Sequence, residues 1–232
     1  MKVGYAVLYK DRTLVVSANP IKQFKKFIIL SSKKKIYKNY GKFDDDNVPW
    51  KKDSKEIKTV QILDYVKSNC MEEWFADCIN LTTLINFQNL DVSDCEIFKC
   101  TFERCSSLKD ISSLQNWDVS NGKDFYHTFG SCKLLTDIKS VQNWNVSSGR
   151  SFLGMFCHCT LLETINIKNW NLMNEKNFAN FCMNCTNLKK IYLPNSIKVI
   201  KENIFLFCNS NLKIVWKDKI YNYSDLEEYK EF

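Results

Sequence analysis

LQNWDVSNGKDFYHTFGSC, residues 114–132, and VQNWNVSSGRSFLGMFCHC, residues 141–159, carry Gln-Asn-Trp, Val-Ser, two Phe and a Cys in the same order and at the same internal distances. Taken singly, either stretch reads as a crowded site of aromatic, thiol and imidazole chemistry. Taken together, 27 residues apart, they read as architecture, because self-similarity at a fixed period of this length is the signature of a stacked repeat.

Working outward from Phe-x-x-Cys, Phe75/Cys78, Phe102/Cys105, Phe129/Cys132 and Phe156/Cys159 recur every 27 residues, Cys185 follows at 26 and Cys208 at 23. Three residues after each Cys stand Leu81, Leu108, Leu135, Leu162 and Leu188, and six after it Leu84, Ile111, Ile138, Ile165 and Ile191. Seven before it stand Met71, Phe98, Phe125, Phe152 and Phe178, and eleven or twelve after it Leu90, Trp117, Trp144 and Trp170. A unit of this size cannot bury its own apolar face, so stacked neighbours must supply a continuous core. The L-x-x-I segment has the alternation of a short strand, NWDVSN supplies turn residues, and Phe at i and i+4 before Cys has a helical or 3₁₀ spacing.

The N-W-D-V-S-N turn, Phe-x-x-x-Phe-x-x-Cys and the following C-x-x-L-x-x-I resemble the BspA-type leucine-rich repeats of bacterial surface proteins. The last copy, residues 193–215, resembles the shorter 23-residue subtype of that group, and GYAVLYKDRTLVVS resembles the hairpin that precedes such repeats. The resemblance implies a right-handed leucine-rich-repeat solenoid of about six coils, of α/β class, that binds other molecules without catalysis. The expected division is an N-terminal capping region over 1–59, the solenoid over 60–217 and a helical cap over 218–232. A strand ladder is expected near Leu84, Ile111, Ile138, Ile165 and Ile191, with 59–66 as its first coil. Its ends need covers. A hairpin of VGYAVLY and TLVVS followed by a helical FKKFII segment covers one end, and a helix started by the Ser224/Glu227 capping box covers the other.

The net charge of +7 is uneven: residues 1–60 hold 15 Lys/Arg against 6 Asp/Glu, so the remainder is slightly acidic. The densest run, SSKKKIYKNYGK, mixes Lys33, Lys34, Lys35 and Lys38 with tyrosines. Such a mixture can follow a nucleic-acid backbone, but a basic run this short reads first as a solvated loop, partly neutralised by Asp44, Asp45 and Asp46 just beyond. No stretch approaches the roughly 18 apolar residues of a membrane span, and VGYAVLY is too short for a signal-peptide core. The expected location is cytoplasmic, in a bacterial or host cell, with the cell surface as the alternative if a leader was removed.

Eleven cysteines, an odd number without an evident leader, point to free thiols rather than a disulfide framework. Cys157-His158-Cys159 followed by Cys182-x-x-Cys185 mimics a zinc pattern, but Cys159 and Cys185 are successive rungs and Cys182 replaces a rung Phe, so no metal and no cofactor is expected. His127 and His158 are the only histidines, no phosphate loop or nucleophile elbow is present, and no catalytic residue is assigned.

Binding through the strand face remains. Positions five and seven after each Cys are the outward ones, and Asp110, Asp137, Lys139, Lys190, Tyr192, Lys213 and Lys217 are the candidate partner-binding residues. The expected function is an intracellular inhibitor or effector, a monomer in isolation, that occludes a protein or nucleoprotein partner. A phage or mobile-element counter-defence inhibitor of a nucleoprotein nuclease is one form, with RNA or DNA contact through the basic cap. A surface-displayed adhesion protein of the BspA-like type is the alternative.

Overall fold

The computed structural model describes residues 5–19, 33–38, 48–172, 177–198 and 202–224. The strands are β1 (Tyr5–Tyr9), β2 (Thr13–Ser17), β3 (Lys33–Lys38), β4 (Thr59–Ile62), β5 (Val66–Lys67), β6 (Thr83–Ile85), β7 (Leu90–Asp91), β8 (Thr164–Asn166), β9 (Lys190–Tyr192), β10 (Lys213–Trp216) and β11 (Lys219–Asn222). They wind into a β-solenoid of about six turns. Helix among the described residues is confined to short 3₁₀ segments such as Lys51–Glu56 and Ser112–Leu114.

A five-stranded sheet in the order β3-β1-β2-β4-β6 forms one end, and a four-stranded sheet in the order β11-β10-β9-β8 forms the other. The β1–β2 hairpin is the expected one, and β2 pairs in parallel with β4, Leu14 opposite Val60, so the hairpin acts as an extra coil. The described part of the lysine-rich run, residues 33–38, is not a loop. It is β3, an edge strand pairing antiparallel with β1, Tyr37 opposite Ala6. The expected FKKFII helix lies outside the described residues.

The far end also differs from expectation. Residues 219–222, placed in a helical cap, are β11 of an antiparallel hairpin with β10, Val215 opposite Ile220. Lys217 and Asp218 turn the chain there with φ of 49° and 60°. Two successive left-handed residues are what a tight hairpin requires, and a Lys-Asp pair does not announce it as Asn-Gly would. The helix expected from Ser224 lies beyond the described residues.

The turn half of each coil is hydrogen-bonded as regularly as the strands. Its backbone alternates between right- and left-handed conformations, with positive φ five residues before the rung Cys (Glu73, Cys100, His127, Gly154, Asn180) and one before it (Asp77, Arg104, Ser131, His158, Asn184). The alternation aims successive N–H groups at the next coil. Phe98, Cys100, Phe102 and Arg104 donate to the carbonyls of Asp124, Tyr126, Thr128 and Gly130 at 2.7–2.8 Å, and neighbouring coils repeat the pattern. Near the N-terminal end the Trp50 indole donates to the Trp74 carbonyl at 2.6 Å.

Inside, the columns read from the sequence become stacks. Phe98, Phe125, Phe152 and Phe178 follow one another at ring separations of 5.2, 5.2 and 5.0 Å, and Phe102, Phe129 and Phe156 at 5.6 and 5.5 Å. The rung thiols have a specific task. Cys105, Cys132 and Cys159 Sγ each donate to the carbonyl of Phe75, Phe102 or Phe129 in the preceding coil, at 3.1–3.2 Å. Trp117, Trp144 and Trp170 Nε1 do the same to Phe87, Leu114 and Val141 at 3.2–3.3 Å. Buried carbonyls that the ladders leave with spare capacity thus find donors. Where Cys182 replaces the rung Phe, the ring of Phe181 turns inward instead and meets Phe156 edge-on at 5.4 Å.

Candidate functional site

The four-stranded sheet aligns the outward side chains of three coils and the closing hairpin in rows. One row is Thr164, Lys190, Lys213 and Asn222; the next along the strands is Asn166, Tyr192, Val215 and Ile220. Between them Ile165, Ile191 and Ile214 point into the core and are fully buried. Strand alternation therefore separates a core row from two solvent rows. The second row is apolar over Tyr192, Val215 and Ile220, and Ile220 is 65% exposed. Lys190 Nζ stands 4.9 Å from the Tyr192 ring centroid, and Lys217 Nζ 4.1 Å from that of Trp216. Lys213 Nζ donates to Asn222 Oδ1. Lys168 and Lys217, two residues beyond Asn166 and Val215, are exposed at the other side of the apolar row. Cations thus bracket an apolar strip. Glu163, the carboxylate before the Thr164 row, is held by Lys189 at 2.8 Å.

The structure brings Lys190, Tyr192, Lys213 and Lys217 together in this sheet, and separates Asp110, Asp137 and Lys139 from it. Residues 110–112 and 137–139 are not strands, contrary to the expected ladder at Ile111 and Ile138. The cause is the aspartates. Asp110 Oδ1 accepts the Ser112 N–H at 2.7 Å and its Oδ2 the Ser112 hydroxyl at 2.9 Å, while Asp137 Oδ1 accepts the Lys139 N–H at 3.1 Å. These Asx turns engage the backbone donors that a ladder would use. Lys139 lies 4.0 Å from Asp137 with both side chains well exposed, a pair of little energetic consequence. Lys33, Lys34, Lys35 and Lys38 lie on β3, in the sheet at the opposite end of the chain order.

A second cluster escaped sequence reading. His127 Nδ1 lies 3.2 Å from Glu103 Oε1, and Cys157 Sγ is 3.9 Å from both ring nitrogens. Tyr126 stacks on the imidazole at 4.2 Å. The Cys157 contact and the Glu103 hydrogen bond push the His127 pKa up to about 9, while His127 and Cys100 hold Glu103 below its usual range despite burial. Gly130 and Gly154 make the room: a Cβ on Gly154 would stand 2.3 Å from His127 Nε2. Aligning repeat columns exposes the signal, since Gly154 occupies in its coil the position His127 occupies in the previous one. The thiol stands at the same long distance from both nitrogens. Among the described residues, no group of three or more His, Cys, Asp and Glu is placed to hold a metal ion. The described cysteines are free, and all except Cys70 and Cys208 are buried. No helix among the described residues is long and apolar enough to cross a membrane.

Together these features define a leucine-rich-repeat solenoid whose last coils present an apolar strip between cations. Residues 69–195 match the family described as "Mycoplasma protein of unknown function, DUF285", more than half of the chain, which therefore belongs to that family. This family does not bear the BspA name, so the BspA-type resemblance holds at the level of the leucine-rich-repeat fold. A leucine-rich cell surface protein from Faecalibacterium prausnitzii is similar in structure with a TM-score of 0.50 at 18% identity, over 94% of this chain and 56% of that one. The present chain thus spans little more than half of that protein's length. A leucine-rich repeat protein from Bacteroides ovatus gives a TM-score of 0.34 at 15% identity, over 91% of this chain and 70% of that one. No curated protein matches.

Proposed function

We propose that the chain is a non-catalytic binding protein that holds a macromolecular partner against the outer face of β8–β11. The observation that carries this reading is the apolar row Tyr192, Val215 and Ile220 bracketed by Lys190, Lys213 and Lys217, because exposed aromatic and apolar anchors dominate recognition energies. In this reading residues 1–59 and 218–232 cap a solenoid over 60–217. The protein acts in the cytoplasm as an inhibitor or effector, a monomer that occludes its partner's surface, for example a phage or mobile-element inhibitor of a nucleoprotein nuclease. The lysines of β3 form a secondary contact where the partner carries RNA or DNA. The cell-surface neighbour supports a second reading, a surface-displayed adhesion protein.

The two surfaces separate by mutation. With a partner identified by capture from the native host, Tyr192→Ala with Lys190→Glu lowers affinity at least about 30-fold, as loss of an anchor worth about 2 kcal/mol does. Reversing Lys33, Lys34, Lys35 and Lys38 to Glu flattens the salt dependence only where nucleic acid is contacted. Full binding by both variants, with folding intact, refutes the choice of surface.

A further inference from the structure

We infer that the partner element seated on this face is an acidic amphipathic helix laid across the strands; the inference rests on the proposed role of the β8–β11 face. Tyr192, Val215 and Ile220 stand on three adjacent strands in register. Neighbouring strands are about 4.8 Å apart, so the row is about 10 Å long and runs perpendicular to the strands. Two turns of α-helix cover the same length, with apolar side chains at i, i+4 and i+7 on one stripe. The lysines fit the flanks of such a helix. Lys190 and Lys213 pair in register in the row on one side, displaced by two residues, about 6.8 Å. Exposed Lys168 follows two residues beyond the row on the other, while the Lys217 ammonium lies over the Trp216 ring at the end of β10. Carboxylates on either side of a helix's apolar stripe would meet these ammonium groups, which is charge complementarity at both borders of one strip.

The same rows suit nucleic acid poorly. Base stacking needs an open aromatic face, yet Lys190 Nζ lies 4.9 Å from the ring centroid of Tyr192, the one aromatic residue of these rows. The most exposed member of the strip is Ile220, an aliphatic side chain that neither stacks on bases nor pairs with phosphate.

The test uses the full chain and three fluorescent probes in an anisotropy titration: a helical peptide with Leu at helical spacing and Glu elsewhere, the same peptide with Lys for Glu, and an oligothymidylate. The Glu peptide binds, the Lys peptide does not, and added salt weakens the Glu peptide. Ile220→Ser and Lys213→Glu each lower its affinity about tenfold or more. Ile220 is largely exposed, so its variant keeps the wild-type thermal midpoint, measured alongside. Failure of the Glu peptide to bind up to millimolar concentration, or binding indifferent to both variants, overturns the inference. If the oligothymidylate alone binds and Tyr192→Ala with Lys190→Glu abolishes that binding, the face stands and the helix does not. If every probe ignores every variant on the face, both readings fall.

Discussion

Gly154→Ala isolates the niche that the repeat makes for His127. Gly154 has φ of +61°, and a Cβ there would meet His127 Nε2 at 2.3 Å and Cδ2 at 2.4 Å, where ordinary contact begins near 3.4 Å. The imidazole must therefore move by about 1 Å, which breaks the 3.2 Å hydrogen bond to Glu103 Oε1 and the packing on Cys157. Losing a hydrogen bond to a charged group costs about 1.5–3 kcal/mol, and a left-handed alanine adds about 1–2 kcal/mol. The expected loss is about 3–4 kcal/mol by urea unfolding. In a His127→Ala background the steric term vanishes and Gly154→Ala costs only the left-handed penalty, leaving a coupling of about 2 kcal/mol in the double-mutant cycle. The left-handed penalty is tolerable in itself, since Glu73, Cys100, His127 and Asn180 adopt the same conformation in equivalent positions. An equal cost of Gly154→Ala in both backgrounds would refute the niche.

Two further outcomes follow from the same coils. His127, with its folded pKa near 9 against about 6.5 when unfolded, stabilises the protein fully below the unfolded value and loses that contribution as pH rises through 9. Glu103, held below its ordinary range, contributes above about pH 4.3 and loses its contribution as pH falls further, so stability measured by urea unfolding falls at both extremes. His127→Gln removes the alkaline limb, and an unchanged alkaline limb in that variant refutes the assignment. The buried rung thiols are donors to carbonyls rather than halves of disulfides, so reductant leaves the thermal midpoint unchanged and Cys132→Ala costs about 1–2 kcal/mol; a midpoint lowered by reductant contradicts this.

The columns legible in the sequence were those that repeat by burial: the Phe, Leu, Ile and Trp positions form the stacks their spacing predicts. The left-handed columns were not legible, because nearly all are filled by side-chain-bearing residues, Cys100, His127, Ser131 and His158 among them, where glycine would have announced the conformation. Such residues cost about 1–2 kcal/mol each in that conformation. The parallel hydrogen bonds of four N–H groups per coil to the next coil offset it, a term that exists only once coils stack. The closing hairpin was missed for the same reason, its turn being Lys217-Asp218.

One column decides which coils carry a strand. Five residues after the rung Cys stand Thr83, Asp110, Asp137, Thr164, Lys190 and Lys213. Aspartate there folds back on its own backbone, closes an Asx turn and withdraws the N–H two residues on from any ladder. Threonine and lysine leave that N–H to the neighbouring strand, so β8, β9 and β10 pair in parallel and their outward residues fall into register. Asp110 and Asp137 thus close turns rather than join a strand, while Lys190 and Lys213 of the same column stand on a sheet whose inner side is the buried Ile165, Ile191 and Ile214. Val215, seven residues after Cys208, continues the column of Tyr192, and the hairpin carries the apolar row one strand further to Ile220, a residue outside the repeat spacing. Asp110→Thr with Asp137→Thr should extend the ladder through the middle coils, since it removes both acceptors and leaves Ile111 and Ile138 in place. The same substitution would leave the β8–β11 face unaltered, because that face depends on its own column and not on the coils before it.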